Sequence, residues 1–136
     1  MGYCMEQRDT NFKIKKENVA EAFKACQTLF GKETIEDSGG RHFSWVDTKV
    51  LMEATNLKEF MEEWRWEIVL DEDGNVTDIG FEGDKIGDDE YLFNTIAPFV
   101  ESGSFIEMSG EDGCLWRWVF KDGKLHDISP EINWGE

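Results

Sequence analysis

The stretch Cys114–Lys121 constrains this chain more than any other. Trp116, Trp118 and Phe120 fall on one side of it, and Leu115, Arg117, Val119 and Lys121 on the other. A period of two is the pattern of a β-strand with unlike faces. Turn sequences bound it on both sides, Gly110-Glu111-Asp112-Gly113 before and Asp122-Gly123 after. Phe105–Ser109 and Lys124–Ile128 flank those turns as further strands. The expectation is a C-terminal three-stranded antiparallel meander. Its Trp116/Trp118/Phe120 face packs on a helix, and its Leu115/Val119 face stays partly exposed.

The rest of the chain supplies the layers such a meander needs. Gly2–Gln7 reads as a first strand, which Phe12 and Ile14 extend. Val19, Ala22, Phe23, Cys26, Leu29 and Phe30 recur three or four apart, a helical stripe, with Asn18 and Glu21 as a capping box and Gly31 as the stop. His42–Val46 reads as a strand. Asn56 and Glu59 form a second capping box before Leu57, Phe60, Met61 and Trp64. Ile68–Leu70 and Val76–Phe81 form a hairpin across Asp71–Asn75. Asp88 or Asp89 caps a third helix, through Leu92, Phe93 and Ile96 to Ala97, and Pro98 ends it. The fold class expected is α+β, with two or three helices on one face of a mainly antiparallel sheet. At 136 residues, it reads as one domain spanning 1–136.

Charge is distributed unevenly. Residues 1–50 carry eight basic and eight acidic side chains, whereas residues 51–136 carry six and twenty-two, so the whole net charge of -16 lies in the last two thirds. Such a field repels nucleic acid and anionic lipid and attracts cationic surfaces. The longest apolar runs are too short to span a membrane, and Met1–Asn11 has no pattern of a signal peptide. Cys4, Cys26 and Cys114 are odd in number and far apart, which points to a reduced, cytoplasmic chain without a disulfide framework.

Few residues suggest chemistry. Cys4, Cys26, Cys114, His42 and His126 contain no ligand pair at short spacing, so no zinc site is expected. Asp71, Asp73 and Asn75 have the 1, 3, 5 spacing of a calcium loop, with Glu82 at position 12. Position 6 is Val76 where the loop needs glycine, and the residues after it alternate like a strand, so a plain hairpin turn is expected. No phosphate loop and no serine elbow is present. Cys26 sits in an apolar stripe and reads as a core residue. Arg117, between two tryptophans, is expected to pair with a carboxylate across the sheet. No cofactor and no metal is expected.

The functional expectation is a non-catalytic acidic binder. Its surface is Glu59, Glu62, Glu63, Asp71, Glu72, Asp73, Asp84, Asp88, Asp89 and Glu90, and its partner is a basic protein surface whose nucleic-acid groove it blocks by charge mimicry. The alternative is a small structural or regulatory subunit that docks through tryptophans, with acidity serving solubility; an enzyme with a site outside any motif ranks below both.

Overall fold

The computed structural model describes residues 4–30, 48–87 and 89–129. Strand β1 (Met5–Asn11) leads into helix α1 (Lys16–Phe30), short helix α2 (Thr48–Glu53), α3 (Leu57–Glu63), strands β2 (Trp66–Leu70) and β3 (Val76–Phe81), helix α4 (Asp89–Ile96), a single 3-10 turn (Ala97–Phe99), and strands β4 (Ser104–Gly110), β5 (Leu115–Lys121) and β6 (Lys124–Ile128). The fold is α+β, with helices packed on antiparallel sheet. The expected strand His42–Val46 lies outside the described residues.

The C-terminal meander forms as the alternation requires. A four-stranded antiparallel sheet runs β1-β4-β5-β6. Trp118 and Phe120 are fully buried, Trp116 is half-buried, and Leu115, Arg117 and Lys121 are exposed. Asp122 (φ 53°) and Gly123 (φ 76°) both take left-handed backbone, as a two-residue hairpin turn demands. Glu107 lies directly opposite Arg117 in the ladder. Its carboxylate accepts from Arg117 Nε at 2.8 Å and from Arg8 Nε at 3.2 Å. Those bonds, Arg117's first, hold the Glu107 carboxyl below its ordinary range, so the expected cross-strand role for Arg117 is the one it has.

The second sheet is the β2-β3 hairpin, joined to β1 by an unusual device. Single bridges pair Cys4 with Lys85 and Ile14 with Val76, at either end of β1. Between them β1 carries a bulge at Gln7–Thr10, and the Gln7 side chain does the pairing. Its amide donates to the Ile79 carbonyl at 2.8 Å and accepts from the Phe81 N–H at 2.7 Å. One side chain thus supplies the donor and acceptor that a strand backbone would.

Helix starts differ in how local they are. At α3, Asn56 accepts from the Glu59 N–H at 2.9 Å, the expected cap, while the Glu59 carboxylate reaches back one residue further, to Thr55 N–H and Oγ1. At α1 the expected Asn18 cap does not form, because the helix begins two residues earlier, at Lys16. The cap there is Asn75, from the β2-β3 turn, whose Oδ1 accepts from the Lys16 N–H at 2.8 Å. Pro98 follows the end of α4 at Ile96, close to where the sequence places that end. It sits at the start of the 3-10 turn, where a missing N–H has no bond to lose.

The core lies between the helices and the inner face of the sheets, and its centre is aromatic. Phe93 of α4 packs against Trp66, Trp118 and Phe120 at centroid distances of 5.0, 5.2 and 5.9 Å, and Trp66 meets Trp118 at 6.1 Å. One ring from the hairpin, one from the helix and two from the meander therefore interlock. Cys26 is buried in this core, and burial pushes its thiol up to about 12, consistent with packing rather than reactivity. Trp118→Ala removes the ring at the junction and should cost about 3–5 kcal/mol. A thermal melt reads this directly, and an unchanged midpoint would show that Trp118 is not part of the core.

Candidate functional site

The acidic residues singled out from the sequence occupy separate settings in the fold. Glu59, Glu62 and Glu63 come together. Helix α3 projects them toward α2, and with Glu53, Val50 and Ala54 they line a groove of about 330 Å³. Leu57, Phe60 and Met61 turn the opposite side of α3 into the core, so the helical period itself aims the acids outward. The Glu59 carboxyl is held below its usual range by the Thr55 backbone N–H and hydroxyl. Glu62 takes Lys58 Nζ at 2.8 Å, and Lys58 also reaches Glu67 at 3.5 Å, so a single lysine is divided between two acids.

Asp71, Glu72 and Asp73 form the tip of the β2-β3 hairpin. The Asp71 carboxylate is used within the turn: Oδ1 accepts from the Asp73 N–H at 2.9 Å and the Asn75 N–H at 3.0 Å, and Oδ2 from Asn75 Nδ2 at 3.0 Å. These bonds, the Asn75 side chain's first, lower its pKa. They also explain why the calcium-like spacing makes a hairpin turn: Asp71 and Asn75 satisfy each other, and β3 follows directly. Among the described residues no group of three or more His, Cys, Asp or Glu converges as a metal site, and no helix is long and apolar enough to cross a membrane.

Asp84 lies elsewhere, with Cys4, Glu6 and Glu111 around a hollow of about 260 Å³ at the start of β1. Asp88 is outside the described residues. Asp89 is on no surface at all. It is fully buried, and its carboxylate receives Trp66 Nε1 at 2.9 Å, the Gly87 N–H at 2.8 Å and Arg65 Nη2 at 3.2 Å. It therefore cannot offer charge to a partner, and the expected role is replaced by a structural one. The apolar surroundings come from residues distant in sequence, which is why spacing alone suggested an exposed helix-terminal acid.

Glu90 borders a cleft of about 460 Å³, between α4 and β5, lined by Ile86, Gly87, Tyr91, Asn94 and Trp118. Its Oε2 accepts from Trp118 Nε1 at 2.9 Å. Asp127, on β6 opposite Trp118, hydrogen-bonds to Glu90, and that bond, burial and the Glu90 charge push its carboxyl up to about 6. Sequence reasoning missed both Glu53 and Asp127. The signal for Asp127 was its shared parity with Leu125, which is half-buried against the core. No protein-family model, curated protein or solved structure matches this chain.

Gly83 shows how tightly the buried polar centre is built. A Cβ there would lie 2.9 Å from Arg65 Nη1 and 2.9 Å from the Phe81 ring. At Gly80 a Cβ would meet nothing closer than 3.8 Å. Gly83→Ala should therefore destabilise by about 1–3 kcal/mol, the range for overpacking, and Gly80→Ala by less. Equal melting temperatures for the two variants would mean that the Arg65 guanidinium has room to move.

Proposed function

We propose that this protein is a non-catalytic acidic binder that occupies the cationic, nucleic-acid-binding groove of another protein. The observation that carries this reading is the α2-α3 groove, where Glu53, Glu59, Glu62 and Glu63 line one concavity. Three of these acids, Glu59, Glu62 and Glu63, were singled out from sequence, and the fold adds Glu53 from a different helix. Val50 and Ala54 supply an apolar floor of the kind that accommodates the methylene stem of a lysine or arginine while carboxylates meet its head. The -16 net charge supports fast, electrostatically steered association with such a partner.

The alternative of docking through tryptophans loses support at three rings. Trp64, Trp66 and Trp118 are fully buried, and an exposed anchor must be accessible before binding.

The experiment is capture of a partner from host lysate, followed by competition and salt titration of the purified pair. Binding should fall by about tenfold or more between about 50 and about 300 mM salt. Duplex DNA or structured RNA should displace the protein from its partner. The variant with Glu53, Glu59, Glu62 and Glu63 all changed to Gln should lose most of the affinity while keeping its melting temperature. Binding indifferent to salt, to nucleic acid and to the four substitutions would overturn the reading.

A further inference from the structure

Glu90 and Asn94 stand one turn apart on helix α4, at i and i+4, and therefore share one side of it. That side borders the cleft of about 460 Å³ between α4 and β5, which Ile86, Gly87 and Tyr91 also line. Trp118 forms its floor. The ring is fully buried, and what it contributes is its indole N–H, which holds Glu90 Oε2 at 2.9 Å. A carboxylate anchored in this way is already oriented before any ligand arrives, which lowers the ordering cost of binding.

Three donors that line the cleft are spent within the protein. The Trp118 indole N–H goes to Glu90, the Gly87 N–H to Asp89 Oδ2 at 2.8 Å, and Asn94 Nδ2 to the Glu90 carbonyl at 2.9 Å. Acceptors remain. A carboxylate has about four lone-pair sites, of which the indole takes one. Among the described residues, Asn94 Oδ1 receives no hydrogen bond and no ion pair includes Glu90. Ile86 and Tyr91 add an aliphatic and an aromatic wall. Such a cleft matches a ligand that is cationic, donates hydrogen bonds and carries an apolar stem.

We propose that the α4-β5 cleft is a second binding site and takes an arginine side chain. A guanidinium has only donors, and no acceptor to leave unpaired against Glu90 or Asn94. Its planar fork reaches acceptors on two successive helical turns at once, whereas an ammonium gathers its donors at a point. The methylene stem lies along Ile86, and the flat cation suits the Tyr91 ring. The inference rests on the reading of the molecule as a binder of basic proteins only for the source of the arginine. It also differs from the α2-α3 groove in kind. There, several acids share one concavity; here, one oriented carboxylate is joined by a neutral acceptor, so shape is selected along with charge.

Titration of the full chain with N-acetyl-arginine amide, followed by nitrogen-edited NMR, tests the site. The Trp118 indole, Gly87 amide and Asn94 carboxamide signals should shift together and saturate in the millimolar range. The citrulline analogue, similar in shape but uncharged, should bind at least about tenfold more weakly, and the lysine analogue several-fold more weakly. Glu90→Gln keeps an acceptor for the Trp118 indole, so it should preserve the melting temperature and weaken the arginine probe by about tenfold. Asn94→Asp puts a charge where the site has a neutral acceptor and should tighten binding. No partner protein is present, so a failed titration counts against the cleft alone, and a partner indifferent to the groove substitutions counts against the proposed function alone. Shifts that never saturate, that citrulline or lysine reproduces at equal affinity, or that Glu90→Gln leaves unchanged would overturn the proposal.

Discussion

The buried Asp89 carboxylate organises the part of the molecule on which the remainder rests. It is fully buried and takes hydrogen bonds from Arg65, from the Trp66 indole and from the Gly87 backbone. Three chain segments meet there: the α3-β2 junction, the loop after β3 and the first turn of α4. Removing charges from water is expensive, so such a pair adds little net stability compared with an apolar substitute, but breaking it leaves a buried charge without compensation. Its value is geometric. Arg65 holds a left-handed backbone (φ 72°), a conformation that costs about 1–2 kcal/mol for a residue with a Cβ. In return its carbonyl accepts from the Glu82 N–H at 2.7 Å and its guanidinium lies 5.3 Å from the Phe81 ring centroid. The turn from helix into hairpin and the return of β3 are thereby fixed to one another.

From that centre the packing follows outward. Trp66, oriented by Asp89, is the ring through which the hairpin contacts Phe93 and Trp118. Gln7 then closes the seam between the hairpin and β1 with two hydrogen bonds from its side chain, and Asn75 ties the hairpin turn to the start of α1. Each link joins residues far apart in the chain: Gln7 to Phe81, Lys16 to Asn75, Arg65 to Asp89. The fold is assembled by a few long-range polar contacts laid over an aromatic core. The acidic groove and the Glu90 cleft sit on helices that these contacts position.

What could be read from the sequence was whatever is encoded locally. The alternation in Cys114–Lys121 predicts which side of β5 is buried, Asn56 predicts its own cap, and Asp71–Asn75 predicts its turn. Each depends on residues within a few positions of one another. The unreadable features depend on distant partners. Asn18 and Glu21 form an ordinary capping box on paper, yet α1 starts earlier because Asn75 reaches it from another element. Asp89 has the appearance of a solvent-facing acid at a helix start, and only the approach of Arg65 and Trp66 makes its burial tolerable. Glu53 carries no local pattern and Asp127 only its parity with Leu125, and their significance comes from the side chains the fold sets beside them. The same limit holds for the acidic surface: net charge is a sum over residues, whereas a groove is a matter of which of them meet.

A double-mutant cycle at Arg65 and Asp89 tests the organising role of the buried pair most directly. Arg65→Met and Asp89→Asn should each destabilise by about 3–5 kcal/mol in denaturant unfolding, because each leaves the other partner buried without its counter-charge. The double variant should be appreciably more stable than the sum of the two losses implies, with a coupling of about 1–3 kcal/mol. Additive effects, or single losses below about 1 kcal/mol, would contradict the account and move the centre of the fold to the aromatic cluster alone.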